Sequence, residues 1–99
     1  MKLHEIAHSR AGDKGNISTI SVIAYDRANY ELIRAKVTAE RVMNHFKPMG
    51  VTGVERYELP QLAALNFVLR NTLGGGVTRS IALDIHGKTL SALMLEIEI

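Results

Sequence analysis

From Lys2 to His8 apolar and polar residues alternate, and Ile17 to Tyr25 is rich in β-branched side chains, so both segments read as strands. The eight residues between them, Ser9 to Asn16, predict a hairpin loop longer than the common roughly two to five. Asp26 is a fair N-cap, after which Leu32, Ile33 and Val37 recur at helical spacing. Thr38 followed by Glu40 opens a second piece carrying Val42, Met43 and Phe46, which predicts tandem helices over 27–36 and 39–47. Pro48 to Gly53 breaks the pattern. Val54 to Leu59 alternates as a third strand, with Val54, Arg56 and Glu58 on one face and Glu55, Tyr57 and Leu59 on the other.

Pro60 is placed to start a helix, and Leu62, Leu65, Val68 and Leu69 give that helix an apolar stripe ending near Asn71. Gly74-Gly75-Gly76 carries too large an entropic cost for a helix and predicts a loop, after which Arg79 to Ile85 resumes strand alternation. His86-Gly87 marks a tight turn into a last strand in which Leu93, Leu95, Ile97 and Ile99 alternate with polar or small residues, with a helix over Thr89 to Met94 as the rival reading. The resulting order β-β-α-β-α-β-β suits a single α+β domain over residues 1–99. Its expected form is a ferredoxin-like two-layer sandwich with both helices on one face of a mixed sheet.

Helices acting as right-handed crossovers would make strands two, three and four parallel, so the segments leading into them line one edge. That arrangement brings Arg10, Asp13, Lys14 and Asn16 near Asn71, Thr72, Thr78 and Arg79, with His45 close by. Glycines at both ends of Gly12-Asp13-Lys14-Gly15 allow positive φ and close backbone approach to a bound group, while Arg10 and Lys14 offer charge-assisted donors. With Gly74, Gly75, Gly76 and Arg79, the set describes an anion-binding patch for a carboxylate or phosphate. Asp13, Lys14 or His45 can serve there in proton transfer. The competing account is plain: Gly, Asp and Asn are ordinary turn residues, Gly74 to Gly76 is only a connection, and Asp13 pairs with Arg10 or Lys14.

Composition narrows the function classes. An apolar fraction of 46% with 22% charged residues in 99 positions fits one folded globular domain. Twelve Lys and Arg against ten Asp and Glu leave a net charge of +2, too small for a basic face that would hold nucleic acid, and no Trp and only five Phe and Tyr give no stacking platform. The absence of cysteine excludes disulfides, thiolate metal sites and a nucleophilic thiol, and makes the cytosol the expected compartment. Neither a signal-type h-region nor a run of ~20 apolar residues is present, so no membrane association is expected. His4 and His8 on a strand would lie about 13 Å apart, which disfavours a metal site. The glycine loop lacks the G-x-x-x-x-G-K-[ST] spacing of a nucleotide-binding loop, and no serine sits in a nucleophile elbow.

Five blocks in order carry a family resemblance: Ala7-His8-Ser9-Arg10-Ala11-Gly12-Asp13-Lys14-Gly15-Asn16, Thr38-Ala39-Glu40-Arg41-Val42, Glu55-Arg56-Tyr57-Glu58-Leu59-Pro60, Ala64-Leu65-Asn66-Phe67-Val68-Leu69, and Leu73-Gly74-Gly75-Gly76-Val77-Thr78-Arg79-Ser80. Together they resemble the AtuA-like domain, found at the C-terminus of acyclic terpene utilisation proteins and also as a free-standing chain. The resemblance runs from about residue 5 to 99 and implies a ferredoxin-like fold. It also implies bacterial catabolism of branched or terpenoid acids as acyl-CoA thioesters, with the small chain as partner of a larger AtuA-type subunit. A CoA thioester would be a ligand rather than a cofactor. Ala11 stands where the family more often has Ser, and Asn16 where Asp is common, which counts against any role needing that hydroxyl or carboxylate.

Three functions follow as alternatives. One is an accessory subunit contributing the Arg10/Lys14 loop to a shared site. Another is a stand-alone hydratase or isomerase using Asp13, Lys14 or His45. The last is a self-associating module, a homo-oligomer whose last strand pairs with its twin across a sheet edge.

Overall fold

The computed structural model describes residues 1–71 and 90–99, with backbone alone for Asp13 and Lys14. Two hairpins build its sheet. β1 (Ala7–Lys14) and β2 (Ile17–Ala24) pair antiparallel in full register, from Ala7 opposite Ala24 to Lys14 opposite Ile17. β3 (Gly53–Leu59) and β4 (Ala64–Arg70) form the second hairpin, and β4 inserts beside β2 to give the order β1-β2-β4-β3. Every pairing among the described strands is antiparallel, so the expected mixed sheet with parallel crossovers between strands two, three and four is corrected.

The tandem helices lie where the spacing placed them. Asp26 accepts from the Ala28 amide and starts a 3-10 turn that runs into α1 (Tyr30–Lys36). The Thr38 hydroxyl accepts from the Arg41 amide at 3.1 Å and starts α2 (Ala39–Phe46), an N-cap arrangement worth roughly 1 kcal/mol. Both helices cross between β2 and β3, and they cover the sheet face on which Ile20, Val22, Leu65, Phe67 and Leu69 point. Ile33, Val37, Val42 and Phe46 meet those side chains from above, and Leu3, Leu90, Met94 and Ile97 complete the core from the two chain ends. The layers are also tied by hydrogen bonds. Arg56, on the covered face of β3, donates to the carbonyls of Arg34 at 2.6 Å and Val37 at 3.0 Å, where α1 ends.

Two predicted elements are corrected. The segment after Pro60 makes only a 3-10 turn (Pro60–Leu62), which Ala63 at φ 52 closes, and then continues as β4 instead of a helix. Arg27 holds this turn by donating to the carbonyls of Pro60 at 2.9 Å and Gln61 at 2.7 Å. At the C-terminus, residues 90–94 are helical, so the expected last strand is replaced by the rival reading. The remaining expected strand, Arg79 to Ile85, and the Gly74–Gly76 loop lie outside the described residues.

The two chain ends are clasped. Leu3 and His4 donate their amides to the carbonyls of Ile97 and Leu95, while Lys2 pairs with Glu96 at 3.0 Å and the Met1 amine with Glu98 at 2.6 Å. The hydrogen bond from Lys2 holds the Glu96 carboxyl below its ordinary 4.5, and that from the amino terminus does the same for Glu98. Bonding to Glu98 in turn raises the Met1 amine above 8.0. A lowered carboxylate pKa adds stability above the unfolded value and loses it as pH falls through the folded one; a raised amine pKa does the reverse on the alkaline side. Protection of the Leu3 and His4 amides from hydrogen exchange is therefore expected to hold between pH 4.5 and 8.0 and to weaken on either side. In a Glu96→Gln, Glu98→Gln variant the acid limb of that dependence should vanish.

Candidate functional site

The turn joining β1 to β2 has only two residues, Gly15 and Asn16, because Lys14 pairs directly with Ile17. Gly15 has φ 65 while Asn16 does not take positive φ, the arrangement in which glycine occupies the first central position of a II′ turn. β4 ends at the same rim of the sheet, since Arg70 is the partner of both Ile17 and Gly53. Asn71 follows with φ 68, a left-handed conformation that asparagine tolerates better than most residues.

Asn71 bonds to two remote turns at this rim. Its amide donates to the Asn16 carbonyl at 2.8 Å, and its side-chain oxygen accepts from Asn16 Nδ2 at 2.9 Å. Its own Nδ2 donates to the Gly50 carbonyl at 3.3 Å, in the left-handed turn (φ 87) that precedes β3. Beside it, the Thr52 amide donates to the Arg70 carbonyl and Arg70 pairs with Glu55 at 2.8 Å. The sequence brought the Gly12–Asn16 and Pro48–Gly53 segments to one rim through parallel crossovers. The structure brings their ends together by a different route, two antiparallel hairpins with β4 in the middle.

Other candidate residues are placed differently. Ser9 to Lys14 is strand rather than loop, so Arg10 and Gly12 are corrected to positions within β1. A Cβ at Gly12 would meet only ordinary contact, with Thr19 Oγ1 at 3.7 Å, and nothing there demands glycine. Arg10 stands level with Ser21 while the rim lies at Ile17, roughly 13 Å away along the strand at ~3.3 Å per residue. Among the described residues Arg10 has no hydrogen bond or ion pair. Asp13 and Lys14 close the hairpin opposite Ser18 and Ile17. His45, at the end of α2, has Nε2 at 2.6 Å from the Leu93 carbonyl, so that nitrogen carries the proton and the ring ties α2 to the C-terminal turn. Gly74, Gly75, Gly76, Thr78 and Arg79 lie outside the described residues.

Among the described residues no three His, Asp or Glu side chains are grouped to hold a metal ion. His4 lies in a 3-10 turn (Leu3–Glu5) and His8 stacks on Tyr25 at 5.2 Å. A depression of about 280 Å³ lies at the opposite rim, lined by Glu58, Leu59, Pro60, Gln61 and Leu62. Those are successive residues of one turn, and Glu58 is already paired with Arg56 at 3.0 Å, so no set of free polar groups converges on it. Sequence reasoning missed the bridging part of Asn71. Its signal was an asparagine directly after an alternating apolar segment, opposite a Gly-Asn turn.

A four-stranded antiparallel sheet backed on one face by helices defines a two-layer α+β domain of ferredoxin-like type. The family model of the AtuA ferredoxin-like domain matches residues 1–99, and the chain belongs to that family. No curated protein and no solved structure matches it. Among the described residues no helix is long and apolar enough to cross a membrane.

Proposed function

We infer that this chain is a small accessory or ligand-binding subunit that works with a larger AtuA-type protein in the catabolism of branched or terpenoid acids at the acyl-CoA level. Membership of the AtuA ferredoxin-like family along the whole chain carries the reading. The rim built from Gly15, Asn16 and Asn71 is its anion-contacting part. The backbone amides of a glycine turn and the Lys14 and Arg70 positions lie at this end of the sheet, next to Asn71, which supports the reading. Amides and cations at a turn are chemistry suited to a carboxylate or phosphate. Arg10 is left out of this rim because its place in β1 lies too far up the strand.

Co-expression with a large AtuA-type protein from the same genome tests the reading. A reproducible complex that a Lys14→Glu, Asn16→Ala variant weakens at least tenfold is expected. Failure to copurify, or a complex indifferent to those changes, overturns it.

A further inference from the structure

The sheet has a second face, turned away from the helices. In an antiparallel sheet with one solvated face, the outward positions are commonly charged or polar. Here the outward positions of the two central strands are mostly uncharged: Ile17, Thr19, Ser21 and Ile23 on β2, then Ala64, Asn66 and Val68 on β4, with Arg70 as the charged residue at the strand's end. At the centre the Ser21 hydroxyl donates to Asn66 Oδ1 at 3.1 Å. Toward β3 the face ends in Tyr57 and Leu59, which are 50% and 39% exposed, and Ile17 is 38% exposed. Charge appears at the margins: Arg10 on β1 at one side, and Glu55, paired with Arg70, at the other. An uncharged centre with a charged rim is the layout of a protein interface.

We propose that this sheet face, which no described element covers, is the contact surface between two copies of the chain, stacked about a two-fold axis parallel to the strands. The charge pattern selects both the occupant and the axis. Arg10, Ser21, Asn66 and Tyr57 form one row across the sheet. A two-fold axis along the strands reverses the strand order, so β1 of one copy covers β3 of the other and Arg10 comes over Tyr57, two residues from Glu55. The Arg10 guanidinium, which has no hydrogen bond or ion pair among the described residues, then gains an aromatic face and a nearby carboxylate. An axis across the strands would instead set β1 on β1 and Arg10 against its own twin. Four strands spaced ~4.8 Å apart and ~7 residues long at ~3.3 Å each make a face of roughly 450 Å². Two copies thus bury on the order of 1,000 Å², near the lower limit for a specific interface, so the dimer is weak. The inference does not depend on the accessory-subunit reading, because it is argued from the sheet face and tested by self-association alone.

Sedimentation over a concentration series tests it. The native chain is expected to dimerise reversibly with a dissociation constant on the order of 10–100 μM. Thr19→Arg, at an exposed central position, should raise that constant at least tenfold with an unchanged circular dichroism spectrum. Arg10→Glu should weaken the dimer, and Arg10→Glu with Glu55→Lys should recover it, which reports on the axis. A strict monomer at about 1 mM, well above the expected constant, overturns the proposal. A dimer that Thr19→Arg leaves intact overturns it equally, by placing the contact elsewhere. If Thr19→Arg unfolds the chain, Val68→Lys is read in its place by the same criteria.

Discussion

Replacing Phe67 by alanine is expected to lower the free energy of unfolding by about 3–5 kcal/mol, a large part of the ~5–15 kcal/mol available to a domain of this size. Phe67 is fully buried, pairs with Ile20 and Arg56 across the two neighbouring strands, and faces the helices. Val68, the next residue, points to the opposite face, so Val68→Ala should cost about 1 kcal/mol or less. Urea unfolding of the two variants measures the contrast. A helix over this segment would have placed Val68 in its apolar stripe with Leu65 and Leu69, so equal losses would contradict the strand.

Arg56→Met is expected to cost about 2–3 kcal/mol, since the native guanidinium makes charged hydrogen bonds to two carbonyls at the end of α1. Its side chain is only 20% exposed, so water replaces those donors poorly. A cation at a helix C-terminus also meets the negative end of the helix dipole. Arg56→Lys should recover less than half of the loss, because an ammonium lacks the planar fork that reaches Arg34 and Val37 from one nitrogen and Glu58 from the other. Recovery to native stability by lysine would show that charge alone matters at this position.

Much of the fold was legible in the sequence. β2, β3 and the tandem helices have clean periodicity and good caps, and their boundaries agree with the sequence reading to within about three residues. The family was legible too, because five ordered blocks identify it independently of any secondary structure. β4 was not, for a definable reason. Leu62, Leu65 and Leu69 stand three and four apart, a helical spacing, yet the stretch Leu65, Phe67, Leu69 alternates with Asn66, Val68, Arg70 at period two. Counting Phe67 decides between the periods. Its neighbours Asn66 and Val68 are also poor helix formers.

β1 misled in the opposite sense. Gly12, Asp13 and Lys14 resemble a loop, but β1 lies at the edge of the described sheet, and an edge position takes small and charged residues. Ala7, Ser9 and Ala11 supply its narrow inward face opposite Ala24, Val22 and Ile20. The last segment alternates through 93–99 without being a strand over its first part. Residues 90–94 coil so that Leu90 and Met94, four apart, both reach the core. The candidate rim was reached by correct proximity and wrong topology. Both schemes begin β2 and β3 at one edge, but only the antiparallel one makes Asn71 the residue that bonds to both neighbouring turns.

Amide spectra of the isotope-labelled chain during titration with inorganic phosphate, and separately with coenzyme A, test most directly whether that rim receives an anion. Saturable shifts centred on Gly15, Asn16 and Asn71, lost in Lys14→Glu, are the expected result. Spectra that stay unchanged there, or shifts centred on the Glu58–Leu62 turn at the far rim, would contradict the account.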